Sequence, residues 1–175
     1  MDKFEKVEHS APMMSLFDAF SREDMIDWRE RLVKLLDGRF SDFEYYCELK
    51  MDGLAISLIY KKGVLVQGAT RGDGRTGENV TQNIKTIDSV PLSLRIPTRD
   101  ELAKIDLSEQ ADKIIKTASA GTIELRGETI MTTRVFNELN IKYEKEGRPQ
   151  LANPRGGANL RKPVVVRIAV CNSTA

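Results

Sequence analysis

Cys47-Glu48-Leu49-Lys50-Met51-Asp52-Gly53 lies between an aromatic run, Phe43-Glu44-Tyr45-Tyr46, and an apolar one, Leu54-Ala55-Ile56-Ser57-Leu58-Ile59-Tyr60. Both flanks read as strand-like, so Lys50 is expected where one strand turns toward the next, with Gly53 just behind it. That geometry suits a nucleophilic amine. A lysine in a partly desolvated cleft with another cation nearby keeps some of its amine unprotonated at neutral pH. The same Lys-x-Asp-Gly tetrapeptide also fits a surface lysine beside an Asp-Gly hairpin turn, so the rest of the chain has to decide.

Downstream, Leu54 to Tyr60 and Val64 to Thr70 flank Lys61-Lys62-Gly63 and predict a hairpin. The second strand runs into Arg71-Gly72-Asp73-Gly74-Arg75-Thr76-Gly77-Glu78. Glycines in such a loop let backbone approach a ligand, and its N–H groups could bind phosphate or ribose oxygens; a solvated turn is the alternative. Val80, Ile84 and Ile87 suggest a short helix. Thr122 to Ile130 reads as a strand with Glu124, Arg126 and Glu128 on one face.

Upstream, His9-Ser10-Ala11-Pro12-Met13-Met14-Ser15-Leu16 is an extended, proline-bearing lead-in. Ser21-Arg22-Glu23-Asp24 resembles a capping box. Met25, Trp28, Leu32 and Leu35 follow at helical spacing as an expected core stripe, with Gly38 closing the helix. Residues 97–120 are charged and read as a surface insertion, opening with a helix near Pro97 to Leu102. Another helix is expected from Thr133 to Glu146, ending at Gly147-Arg148-Pro149. The loop Leu151 to Gly157 follows, and Val164 to Val170 reads as a last strand. The class is α+β.

The 175 residues suit one domain, and 41% apolar with 30% charged content is that of a folded soluble chain. Lys+Arg 27 against Asp+Glu 26 leaves no global basic footprint for nucleic acid, so any such contact rests on a local patch. Cys47 and Cys171 with the single histidine, His9, exclude the usual zinc tetrads within the chain. The sparse cysteines and the lack of a signal peptide predict a reducing cytoplasm, and no apolar run reaches membrane-spanning length.

Together these stretches resemble the adenylation (nucleotidyltransferase) domain of bacterial NAD-dependent DNA ligases. The lead-in is similar to the family's His-x-x-Pro-Met-Leu-Ser-Leu. The likeness continues through Cys47 to Gly53, Ala69-Thr70-Arg71-Gly72-Asp73-Gly74 with Thr76-Gly77-Glu78, Leu125-Arg126-Gly127-Glu128, and Ala152-Asn153-Pro154-Arg155. The lead-in and the glycine loop favour the NAD-dependent branch over ATP-dependent ligases, RNA ligases and capping guanylyltransferases. The resemblance implies an ATP-grasp-like nucleotidyltransferase fold, with antiparallel sheets flanked by helices.

It also implies roles. Lys50 would attack the α-phosphorus of NAD, the AMP donor, forming lysyl-AMP and releasing nicotinamide mononucleotide. Glu48 would accept from the adenine amino group and Glu128 from ribose. Arg71 would hold ribose or phosphate, its charge favouring the free amine of Lys50. Ser15 and Leu16 would line the adenosine pocket, Asp52 would orient the lysine loop, and Arg155 would touch a phosphate of nicked duplex DNA. Mg2+ or Mn2+ is expected, a monomer is implied, and replication and repair are the setting.

The chain departs from the family after Asn-Pro-Arg. There Gly156-Gly157-Ala158-Asn159-Leu160-Arg161-Lys162 replaces Asn-x-Ala-Ala-Gly-Ser-Leu-Arg-Gln, and Arg161, two positions early, takes no role. Val164 to Ala175 lacks the aromatic that stacks on adenine in the family. Residues 156–175 therefore read as a divergent tail on a partial, truncated adenylation domain spanning 1–175. The later lysine motifs, the module for the nicotinamide half, and the OB, zinc, helix-hairpin-helix and BRCT modules do not occur in the sequence. The chain alone is thus expected not to seal nicks and to self-adenylate poorly or not at all. A catalytically silent nucleotide-binding or decoy module is the alternative.

Overall fold

The computed structural model describes residues 4–15, 17–36 and 44–154, and the backbone of 165–169. The chain divides into two compact units, Met14–Lys50 and the remainder.

The larger unit is built on an antiparallel four-stranded sheet. Strands β2 (Leu54–Lys61) and β3 (Val64–Thr70) form the expected hairpin. Lys62 and Gly63 both take positive φ, 51° and 75°, the pair of left-handed residues that a two-residue turn needs to match strand twist. Strand β5 (Thr122–Ile130) pairs with the other edge of β2, and β6 (Val165–Ala169) pairs with β5, giving the order β3-β2-β5-β6. A second, two-stranded sheet joins β1 (Lys6–Glu8) to β4 (Thr76–Glu78). The class is α+β.

Alternation along β2 separates two faces. Ile56, Leu58 and Tyr60 are fully buried in a core with Leu65, Val80, Ile84, Ile87 and Val90. The short helix α2 (Thr81–Ile84) lies on β3 because Gly68 leaves room: a Cβ there would stand 2.8 Å from Ile84 Cγ1. Thr81 Oγ1 accepts from the Gly68 N–H (2.9 Å), fixing the helix to the strand. The Tyr60 hydroxyl donates to Pro91 O (2.8 Å), which satisfies it inside the core, and burial raises its titration.

Residues 97–120 fold as α3 (Arg99–Ala103) and α4 (Ala111–Ala120). Thr98 and Glu101 form a capping box at the start of α3. The Arg95 guanidinium and the Thr98 cap bring the Glu101 carboxyl to about 2. Helix α5 (Thr133–Lys145) follows and ends near the expected Gly147, which takes a left-handed conformation, φ 65°.

In the smaller unit, α1 (Arg22–Leu35) starts at the expected capping box. Ser21 Oγ accepts from the Asp24 N–H (3.0 Å), and the Asp24 carboxylate accepts from Phe20 and Ser21 N–H. These bonds, that of Phe20 foremost, hold its carboxyl below the usual range. Two expectations fail here. The stripe Met25, Trp28, Leu32 and Leu35 is not core, since α1 has no buried residue. One helix beside an extended segment cannot enclose so wide a face; Trp28 stacks obliquely on Tyr45, ring centroids 5.9 Å apart. Nor is the run before Lys50 a strand: 44–52 carries no helix or strand. Phe43 and Gly38 lie outside the described residues.

Candidate active site

The face of the four-stranded sheet away from the core carries the candidate site residues of the larger unit. Antiparallel register sets Ala55 opposite Glu128, Ser57 opposite Arg126, Ile59 opposite Glu124, and Ala69 opposite Ser57. Directly paired residues project to the same side. Glu124, Arg126 and Glu128 therefore share one face, as expected from their alternation.

Arg71 follows the last residue of β3, and its N–H donates to Ala55 O (2.9 Å). Since Ala55 also pairs with Glu128, Arg71 and Glu128 flank β2 at the same level. The sheet thus brings together two candidate residues 57 positions apart. Ser15, Glu48 and Lys50 belong to the smaller unit, where the side chains of all three are exposed. Leu16 and Arg155 lie outside the described residues.

Asp52 and Gly53 belong to the larger unit, whose second segment starts at Met51. A Cβ on Gly53 would come within 2.3 Å of Thr129 O and 2.8 Å of Ile130 Cγ2. The motif therefore needs glycine because its backbone presses against the end of β5, next to Glu128.

The loop from Arg71 to Glu78 departs from expectation. Asp73 Oδ1 accepts from the N–H of Arg75 (2.8 Å) and Thr76 (2.7 Å), the Asp73 N–H donates to Thr76 O, and the Gly74 N–H donates to Arg71 O. Those N–H groups close the turn upon itself, so they do not form a phosphate cradle. The same bonds, Thr76 foremost, hold the Asp73 carboxyl below its ordinary range. What the loop grips is the lead-in. The Met13 N–H donates to Gly74 O (2.8 Å), the His9 N–H donates to Arg75 O (2.9 Å), and His9 Nε2 lies 3.1 Å from Arg71 O.

Sequence reasoning missed a polar group beneath the lead-in. Glu124 is only 5% exposed. Its carboxylate accepts from Ser10 Oγ, Ser57 Oγ (2.9 Å) and Arg126 Nε (2.9 Å). Arg126 donates onward from Nη1 to Pro12 O (2.9 Å) and from Nη2 to Ala11 O (2.7 Å). Burial alone would raise the Glu124 carboxyl, but the bonds from Ser10, Arg126 and Ser57 outweigh it and hold it low. A depressed folded value means that the stabilisation is fully present above the unfolded value, near 4.3, and fades as pH falls through the folded one. Thermal melts from pH 7 to pH 2 should therefore show an acid loss that shrinks in Glu124→Gln. Equal acid sensitivity in the two proteins would contradict this.

Among the described residues, no three His, Cys, Asp or Glu side chains converge as metal ligands, and no helix is long and apolar enough to cross a membrane.

A family model described as the NAD-dependent DNA ligase adenylation domain matches residues 1–162. A DNA ligase from Macrococcus caseolyticus is 44% identical over 155 residues, covering 89% of this chain and 19% of the relative. One from Geobacter sulfurreducens is 42% identical over 160 residues, covering 90% and 21%. One from Chloroflexus aurantiacus is 43% identical over 156 residues, covering 89% and 20%. The chain spans about a fifth of the length of these curated relatives. A match over most of the chain, joined by DNA ligases 42–44% identical to it, places this protein in the NAD-dependent DNA ligase adenylation domain family.

Proposed function

We propose that the chain is the nucleotide-binding and lysine-adenylating part of an NAD-dependent DNA ligase, with the ATP-grasp-like nucleotidyltransferase fold. Lys50 Nζ attacks the α-phosphorus of NAD. A phosphorus–nitrogen bond forms, the bond from that phosphorus to the bridging oxygen breaks, and nicotinamide mononucleotide departs. The AMP then passes from Lys50 to the 5′-phosphate at a nick in duplex DNA, where the 3′-hydroxyl displaces it and closes the strand. Glu48 and Ser15, with Leu16, serve the adenosine. Glu128 accepts from ribose, Arg71 steadies ribose or phosphate, and Arg155 contacts the DNA backbone. Mg2+ or Mn2+ would neutralise phosphate charge, and the setting is cytoplasmic replication and repair.

The observation that supports this reading most is the level placement of Arg71 and Glu128 across β2, within a chain of this family. A guanidinium and a carboxylate at one height on one face suit a ligand carrying both an anion and a sugar hydroxyl. The competing role for Glu128 is a structural ion pair with Arg126 or Arg134.

Calorimetric titration with AMP tests the reading. Glu48→Ala and Glu128→Ala should each lose a charge-assisted hydrogen bond of about 1.5–3 kcal/mol, roughly ten- to a hundredfold in affinity. Unchanged affinity with a lowered melting temperature would make both residues structural.

A further inference from the structure

Arg126 and Glu124 stand one and two strand alternations away from Glu128, yet their polar atoms point to the lead-in. The chemistry is demanding. A carboxylate only 5% exposed would be costly without partners, and here donors come from β2, from β5 and from the lead-in itself. The Arg126 guanidinium then uses its remaining nitrogens on two successive backbone carbonyls, Ala11 O and Pro12 O. Only a planar fork serves a carboxylate and two carbonyls at once; a lysine ammonium is a point charge on a flexible stem.

Covering a sheet face does not require this. Buried ion pairs are often replaced by apolar residues without loss of stability, so what such a pair adds is one defined arrangement. Here the arrangement ties the backbone carbonyls of Ala11 and Pro12 to Arg126. On either side, His9 and Met13 are tied to the turn that carries Arg71.

We infer that the Glu124–Arg126 pair is a positioning device for the nucleotide: it sets the lead-in backbone and, through His9, the backbone of Arg71, without touching the ligand. This rests on the proposed adenylate site. Loosening the pair should weaken AMP binding even in a fully folded protein.

The test uses the whole chain, with Arg126→Lys as the main variant and Ser10→Ala as a milder one that removes a single donor from Glu124. AMP affinity is measured by calorimetry well below each variant's melting temperature, alongside amide exchange at His9 and Met13. In Arg126→Lys, AMP binding should weaken about tenfold, some 1.4 kcal/mol. Exchange at His9 and Met13 should quicken while Leu58 and Tyr60 in β2 keep their protection. Ser10→Ala should shift both readouts in the same direction by less. Faster exchange with unchanged AMP affinity would overturn the inference and leave the pair purely structural. Unchanged exchange would show that the pair does not hold the lead-in. Absence of AMP binding by the wild-type chain would instead sink the adenylate site, and this inference with it.

Discussion

Lys50→Arg should reduce covalent AMP labelling to background when this chain replaces the matching segment of a relative such as the Geobacter sulfurreducens ligase. The attacking group must offer a lone pair, and a guanidinium stays protonated at any pH the protein survives. Charge and approximate reach are retained, so NAD binding should change little while lysyl-AMP disappears. That split separates a nucleophile from a binding residue. Labelling is read by peptide mass spectrometry after incubation with NAD and magnesium. An adduct persisting in Lys50→Arg, or mapping to another lysine in the wild type, would remove Lys50 from the proposed role. A chimera that binds AMP but never forms the adduct would describe a silent nucleotide-binding module.

The largest loss of stability should come from Gly77→Ala. A Cβ at Gly77 would lie 1.8 Å from Thr70 O and 3.1 Å from His9 Nε2. The first obstacle is backbone, so relief requires β4 to part from the end of β3. Gly77 also pairs with Val7, and so the two-stranded sheet leading to His9 is disturbed as well. Overpacking of this kind costs about 3 kcal/mol, occasionally more, which lowers the melting temperature by roughly 6–12 °C in a chain of this size. Gly147→Ala is the control. Its φ is 65°, but nothing lies within 4 Å of an added Cβ, so only the left-handed strain of about 1–2 kcal/mol remains. A Gly77→Ala loss no larger than that of Gly147→Ala would show that the loop yields easily.

Local chemistry made much of the fold legible. The Ser21–Asp24 box, the Lys62-Gly63 turn and the end of α5 near Gly147 each depend on neighbours within a few residues, and each was readable. The shared face of Glu124, Arg126 and Glu128 followed from strand alternation alone. What escaped was non-local. Glu124 meets Ser57 across 67 positions and Ser10 across 114, so nothing in the spacing of the strand announced a buried carboxylate. Strand β1 is three residues, Lys-Val-Glu, too short to announce itself, and its partner β4 lies far along the chain. The glycine loop misled for a different reason: three glycines suggested free N–H groups, whereas Asp73 and nearby carbonyls occupy them. The α1 stripe misled because helical spacing reports a face without its partner. Of the site itself, the motifs named the residues, but only the register of β2 and β5 put Arg71 level with Glu128.

Chemical-shift mapping of the 15N-labelled chain with AMP tests the central claim most directly. The account predicts saturable shifts at Arg71, Glu128 and the lead-in amides of His9 and Met13, together with Glu48 and Lys50, while α4 and α5 stay still. No saturable shifts, or shifts confined to those helices, would contradict it.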